Sequence, residues 1–383
     1  MVRGSAARVS AVATVVLAVT LAVGLLVPVG GAAPAAAAAG EPIRLGFINH
    51  LTGDAAVYGE SMRKGTQLAV EEINAAGGIN GRPVEVVYVD DQLNAAQAVA
   101  GVRRLIERDR VPVIMGSGSS SITLAIGPVA REARVVLISS ISTAPALKDL
   151  GPYFFAVMAS DFAQGEEWAN IARRRGIKEA AVAYINNDYG IGVKDVFTRR
   201  FTEDGGKILA SVAFSVGATD LRTEILKLRQ SRARTVFVVS HVREGALLIK
   251  QAAELGLRPQ WIGDVALQTR EVPELAGSAA EGMLALSAGV KGEAYERFAR
   301  RFVERYGEEP TIWSDFAYDT THLVVEAIRV NGYSAEGIRR WLDRVEGWPG
   351  ASGRISFDEN GIRSVDGAFQ LYQVVNGRWV PVP

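Results

Sequence analysis

Two stretches of this 383-residue chain put hydroxyl groups where a parallel-sheet protein binds anions. After the β-branched run Val113–Met115 comes Gly116-Ser117-Gly118-Ser119-Ser120-Ser121, which opens a helical pattern running toward Glu132. After Val135–Ile138 comes Ser139-Ser140-Ile141-Ser142-Thr143-Ala144-Pro145. Hydroxyls and unpaired backbone N–H groups at a helix start both favour negative charge, and the helix dipole adds to them. The loops therefore read as a carboxylate cradle. Ser119 and Thr143 are the first choices for direct contact, with Ser120, Ile141 and Ser142 beside them. One serine in such a place commonly does no more than cap its helix. Two consecutive strand ends rich in hydroxyls point instead to a site.

Three more loops follow strand-like runs in the second half. They are Asn186-Asn187-Asp188-Tyr189-Gly190-Ile191-Gly192, Ser240-His241 and Gly263-Asp264-Val265. Ligands of open parallel sheets sit outside the carboxyl ends of the strands, so these loops are expected to face the first two. Tyr189, His241 and Asp264 are the candidates there. A lone His or Tyr at a strand end is more often a packing or surface residue, and Asp161, just ahead of a helix, reads as an N-cap.

Catalysis finds little support. The chain has three histidines and no cysteine, and neither His-Glu-x-x-His nor Gly-x-Ser-x-Gly occurs, so the common zinc sites and hydrolase triads are missing. A hydrolase would have to draw its nucleophile or base from Ser119 or Asp264. The Gly-rich stretch lacks the Gly-Lys-Ser/Thr ending of a phosphate loop and the third glycine of a dinucleotide fingerprint. No cofactor and no metal are expected.

The elements that must hold these loops alternate along the chain. Ile43–Ile48, Val84–Val89, Val113–Met115, Val135–Ile138, Ala180–Ile185, Ile208–Phe214, Thr235–Val239 and Gln260–Ile262 read as strands, and all but the last lead into a turn and a helical pattern. Such alternation implies an α/β protein with parallel sheets flanked by helices. Over Gly59–Ala76 the residues Met62, Ala69, Val70 and Ile73 make an apolar stripe, which Gly77-Gly78 stops. Val84–Met115 is echoed by Ile208–Val239, each a strand, an acidic turn, a helix and a strand, which suggests two similar lobes. Helices over Gly292–Tyr306, Asp315–Val330 and Ala335–Val345 read as cover for an existing sheet. Short strands are expected at Gly353–Phe357, Ala368–Val375 and Trp379–Val382. The chain is expected to cross between lobes near Asp161, Ser287 and Val365, leaving a cleft.

Length and composition set the outer bounds. A chain that is 48% hydrophobic and 22% charged suits two ordinary globular domains. Arg3 and Arg8 precede an apolar run over Val9–Val29 and an Ala-rich stretch, the order of a secretory signal peptide with cleavage near Ala39. The run is also long enough for an anchor, but small residues follow it where a cationic stop would stand. Without cysteine the exported chain has no disulfides. Loss of the two leader arginines leaves 40 basic against 42 acidic residues, so nucleic acid and anionic membrane surfaces are not expected partners.

At several points the sequence resembles the leucine/isoleucine/valine-binding type of periplasmic protein. The likeness is carried by Leu51-Thr52-Gly53-Asp54, Tyr58-Gly59, Glu72-Ile73-Asn74-Ala75-Ala76-Gly77-Gly78-Ile79-Asn80-Gly81, Asp90-Asp91, Ser119–Ser121 and Thr143-Ala144-Pro145. It continues through Asn187-Asp188-Tyr189-Gly190, Ala280-Glu281-Gly282-Met283 and Tyr318-Asp319. The resemblance implies a type I clamshell of two Rossmann-like lobes joined by three crossings. It implies lobes over 41–161 plus 288–364 and 162–287 plus 365–383, after a signal peptide over 1–39. In that family a serine at the place of Ser119 and the loop matching Ile141 and Thr143 hold the ligand carboxylate. Aromatic residues match Tyr58 and Tyr189, and a side-chain pocket residue falls at Trp313. The family's ammonium contacts fall near His241 and at Val265, where this chain has no acid; either Asp264 supplies one or the ligand lacks an α-ammonium.

The expected function is that of a monomeric, periplasmic solute-binding protein serving an ABC transporter permease. Its ligand would be a small carboxylate-bearing solute, a branched-chain or other amino acid or a relative. The alternatives are a ligand that is an amide, keto acid or aromatic acid, a role as a ligand sensor, and, less in keeping with the residues, a secreted hydrolase. No enzymatic activity is expected.

Overall fold

The computed structural model describes residues 40–53, 55–289, 292–364 and 369–382. The expected leader and its cleavage site lie outside the described residues, as does the expected crossing at Val365. Among the described residues no helix is long and apolar enough to cross a membrane.

The β-branched runs become strands, the inner ones buried on both faces, as parallel sheets covered by helices require. The first five are β1 (Ile43–Asn49), β2 (Val84–Asp90), β3 (Val113–Gly116), β4 (Val136–Ser139) and β5 (Phe154–Ala159). The next five are β6 (Glu179–Ile185), β7 (Lys207–Phe214), β8 (Thr235–Val239), β9 (Gln260–Gly263) and β10 (Leu284–Ala288). Then β11 (Trp348–Gly350) and β12 (Gly353–Ile355) pair with each other, followed by β13 (Ile362–Arg363), β14 (Phe369–Val375) and β15 (Arg378–Pro381). One sheet runs β2-β1-β3-β4-β5-β13 and is parallel throughout. The other runs β7-β6-β8-β9-β10-β14-β15. The chain thus passes between the sheets after Ala159, after Ala288 and between Arg363 and Phe369.

Three features differ from the sequence reading. The second sheet ends in an antiparallel pair, because Asn376 and Gly377, both at positive φ, close a two-residue hairpin between β14 and β15. Strands β5, β10, β11 and β13 were not expected from the sequence: the first two are short buried runs without alternation, and the last two are only three and two residues long. Ser160, not Asp161, caps the helix at the first crossing, its hydroxyl accepting from Phe162 N.

The helices are α1 (Ala56–Ala75), α2 (Ala95–Glu107), α3 (Ser120–Glu132), α4 (Asp161–Arg174), α5 (Asp188–Glu203) and α6 (Arg222–Ser231). They continue with α7 (Val242–Glu254), α8 (Glu271–Ala276), α9 (Glu293–Tyr306), α10 (Ser314–Asn331) and α11 (Ala335–Leu342). Helix α10 lies along α1, and Gly65 makes that approach possible: a Cβ there would overlap the Ser314 carbonyl. Gly59 does the same beneath the carbonyl of His50, which seats the neighbouring Tyr58 at the end of the first sheet.

Each sheet reverses its winding beside its first strand. From β1 the chain goes to β2 on one side and β3 on the other, and from β6 to β7 and β8 in the same way. Crevices form outside the strand ends at such reversals. The loops after β1, β3, β6 and β8 are therefore the ones held open for a ligand.

One buried acid gives the fold a readable pH dependence. Asp319 is fully buried, its carboxylate accepting from Ala351 N and Ser352 N at 2.7 Å each, and burial raises its pKa from 3.8 to about 7 against the pull of those bonds. The native state therefore holds this proton longer than the unfolded chain. Its contribution is fully present below pH 3.8 and is lost as pH rises through about 7. Asp319→Asn cannot titrate, so the stability of the parent relative to this variant should fall by up to about 1.4 kcal/mol per pH unit across that window. Urea unfolding at a series of pH values measures it, and a flat difference would refute the assignment.

Candidate functional site

A small cavity of about 50 Å³ lies between the strand ends of the two sheets. From the first sheet it receives Tyr58, the run Gly118–Ser121, Ile141 and Thr143; from the second, Asn187, Tyr189, His241, Val265 and Ala266; Trp313 flanks them. Eight of the ten candidate contacts therefore line one space: Tyr58, Ser119, Ser120, Ile141, Thr143, Tyr189, His241 and Trp313.

The carboxylate end is built by α3. Ser119 is its N-cap in extended conformation, yet its hydroxyl makes no capping bond, so hydroxyl and first-turn N–H groups remain for a ligand. Ser120 has a different task. Its hydroxyl accepts from Thr143 N and Ala144 N at 3.2 Å each, tying the loop after β4 to the helix start. The Thr143 carbonyl accepts from Asp161 N at 2.8 Å, and the Thr143 hydroxyl meets the Asp161 carboxyl, whose pKa burial raises well above 3.8.

The aromatic side is a stack. Tyr58 lies on Trp313 with ring centroids 5.4 Å apart and planes 20° from parallel, and meets His241 edge-on at 6.0 Å. The Tyr58 hydroxyl accepts from Val242 N at 2.8 Å, a bond that spans the two lobes. Burial raises the pKa of this phenol and lowers that of the His241 imidazole, the latter against the nearby Glu244 carboxylate. A second bridge runs from the Ser121 hydroxyl to Asp188 Oδ2 at 2.6 Å.

Ser142 and Asp264 stand behind the wall rather than on it. The Ser142 hydroxyl donates to Ser117 O at 2.9 Å and lies 2.8 Å from the Thr123 hydroxyl, which turns it into the core. Asp264 is fully buried: Oδ2 accepts from Tyr189 Oη at 2.7 Å and from Ser240 N at 3.0 Å, and Oδ1 from Leu267 N at 3.1 Å. Burial, opposed by these bonds, brings its pKa to about 7. Val265 and Ala266, one and two residues on, occupy the wall instead.

Five further lining residues escaped the sequence reading: His50, Ala55, Leu93, Met158 and Ala266. His50 and Leu93 follow β1 and β2, and the strand-end rule applied there would have found them. Met158 belongs to the unexpected β5, and Ala266 carries no chemical signal at all. Ala55, Tyr58, Leu93 and His241 also border a wider cleft that opens outward from the cavity. Among the described residues no cluster of three or more His, Asp and Glu is placed to hold a metal ion.

Relatives share this architecture over nearly the whole chain. A leucine-, isoleucine-, valine-, threonine- and alanine-binding protein of Pseudomonas aeruginosa is 28% identical over 341 residues, 88% of this chain and 90% of that one. The crystal structure of a leucine-binding protein from Thermotoga maritima superposes with a TM-score of 0.82 at 26% identity, covering 89% of this chain and 98% of the other. A branched-chain amino acid transporter substrate-binding protein from Streptococcus pneumoniae, in complex with isoleucine, gives 0.80 at 27% identity over 89% and 100%. The family model of the periplasmic binding proteins matches residues 42–378. With two mostly parallel, helix-flanked sheets, three crossings and a cavity at the switch points of both, the chain belongs to the periplasmic binding protein family and has its type I fold.

Proposed function

We propose that this protein captures a small carboxylate-bearing solute by closure of two lobes and delivers it to an ABC transporter permease, without chemical turnover. The lobes are 41–161 plus 288–364 and 162–287 plus 365–383, and residues 1–39 direct export to the extracytoplasmic space, where the protein acts as a monomer. The observation that carries the reading is the cavity between opposed strand ends, with the uncapped Ser119 hydroxyl and the start of α3 on its wall. Ser119, Thr143 and the loop around Ile141 grip the carboxylate. Tyr58 and Trp313 hold the apolar body, while Tyr189 and His241 close from the other side. The Pseudomonas and Streptococcus relatives, named for binding or found with aliphatic amino acids, support a ligand of that size. Binding shifts the hinge only by its differential affinity for the closed form.

A thermal-shift panel of branched-chain amino acids, their 2-oxo and amide analogues and small aromatic acids tests this. A ligand at 100 times its dissociation constant adds about 2.7 kcal/mol. At least one carboxylate should raise the melting temperature and contract the protein in small-angle scattering; stabilisation by none would remove the proposal.

A further inference from the structure

The charges around the cavity decide which carboxylates it can take. At one end the Ser119 hydroxyl and the amino end of α3 favour an anion. At the other, the nearby acids are walled off or engaged. Asp264 is fully buried and absent from the wall, with both oxygens accepting protein donors, and Asp161 is 1% exposed and likewise absent from the wall, its Oδ2 without a hydrogen-bond partner. Asp188 takes the Ser121 hydroxyl, and Asp91 takes the Ser117 hydroxyl at 2.8 Å and Leu93 N at 2.8 Å. Among the described lining residues there is no Asp, Glu, Lys or Arg.

An α-ammonium must sit within two bonds of its carboxyl carbon, so its position is tied to the cradle. On the second-lobe side it would meet the apolar Val265 and Ala266 and the Tyr189 hydroxyl, whose proton is already donated to Asp264. That oxygen still has a lone pair for one neutral donor. A cation stripped of water needs an ionised partner as well, and without one its burial is strongly unfavourable.

Building on the carboxylate-binding reading above, we propose that this cavity selects compact apolar monocarboxylates that carry no ammonium group, such as 2-oxo, 2-hydroxy or aryl acids, over the matching zwitterionic amino acids. Val265 is the residue that sets the choice.

Calorimetric titration of the purified, ligand-stripped protein with matched pairs tests it: 4-methyl-2-oxopentanoate against L-leucine, phenylpyruvate against L-phenylalanine, and benzoate alone. The acids without an amino group should bind, and each amino acid should bind about 100-fold more weakly or worse. Val265→Glu, which adds a carboxylate to the wall, should move the ratio toward the amino acid by about tenfold or more, the effect of ~1.4 kcal/mol. An amino acid that binds as tightly as its 2-oxo partner overturns the selectivity and leaves the carboxylate reading standing. Binding by none of the five overturns both. A folded Val265→Glu protein with an unchanged ratio overturns the role of Val265.

Discussion

Replacing Ser119 and Thr143 together with Ala is expected to lower ligand affinity about 100- to 10,000-fold while leaving the secondary structure intact. A hydrogen bond to a charged group contributes about 1.5–3 kcal/mol, and two such losses sum to the tenfold steps of that range. The Ser119 hydroxyl caps nothing, so its removal disturbs no internal bond. Thr143 holds its loop through backbone bonds to Ser120 Oγ and Asp161 N, which alanine keeps, although alanine removes the contact of the Thr143 hydroxyl with the Asp161 carboxyl. Titration with the best ligand from the thermal panel reads the change, and circular dichroism checks the fold. A folded double variant with parental affinity would mean that the cradle lies elsewhere.

The second large effect is on stability. Trp168 is fully buried between Phe197 and Phe237, with centroids at 5.5 and 5.1 Å, and its indole N–H donates to Gly263 O at 3.3 Å. Trp168→Ala removes that bond and leaves a large void, at a cost of about 3–5 kcal/mol. Gly263 directly precedes Asp264 and the wall residues Val265 and Ala266, so the loss should also loosen the second-lobe side of the cavity. Urea unfolding should show a lowered midpoint with an unchanged slope. A loss below about 1 kcal/mol would mean that the surrounding rings collapse into the void.

What the sequence disclosed follows the strength of local signals. Alternating β-branched runs and helical stripes located β1 to β4 and β6 to β9, and the echo between Val84–Met115 and Ile208–Val239 corresponds to β2-α2-β3 and β7-α6-β8, the same edge of each sheet. Strands β5 and β10 stayed hidden because Phe154–Ala159 and Leu284–Ala288 are buried along their length, so nothing alternates. Within the site, strand ends and hydroxyl-rich loops pointed to the right neighbourhoods. They could not tell a side chain on the wall from one behind it. Ser142 and Ser119 look alike in sequence, and only the donors and acceptors around Ser117 and Thr123 separate them. Asp264 reads as an available acid until Tyr189, Ser240 and Leu267 are seen to fill its oxygens.

The two bridges between the lobes, Val242 N to Tyr58 Oη and Ser121 Oγ to Asp188, are made of protein atoms on both sides. An unloaded molecule can form them as readily as a loaded one. Together they contribute about 1–3 kcal/mol, on the scale that separates open from shut forms in hinged proteins. Empty molecules are therefore expected to populate the shut form as well. For a partner that reads outline rather than cargo, such molecules would act as decoys.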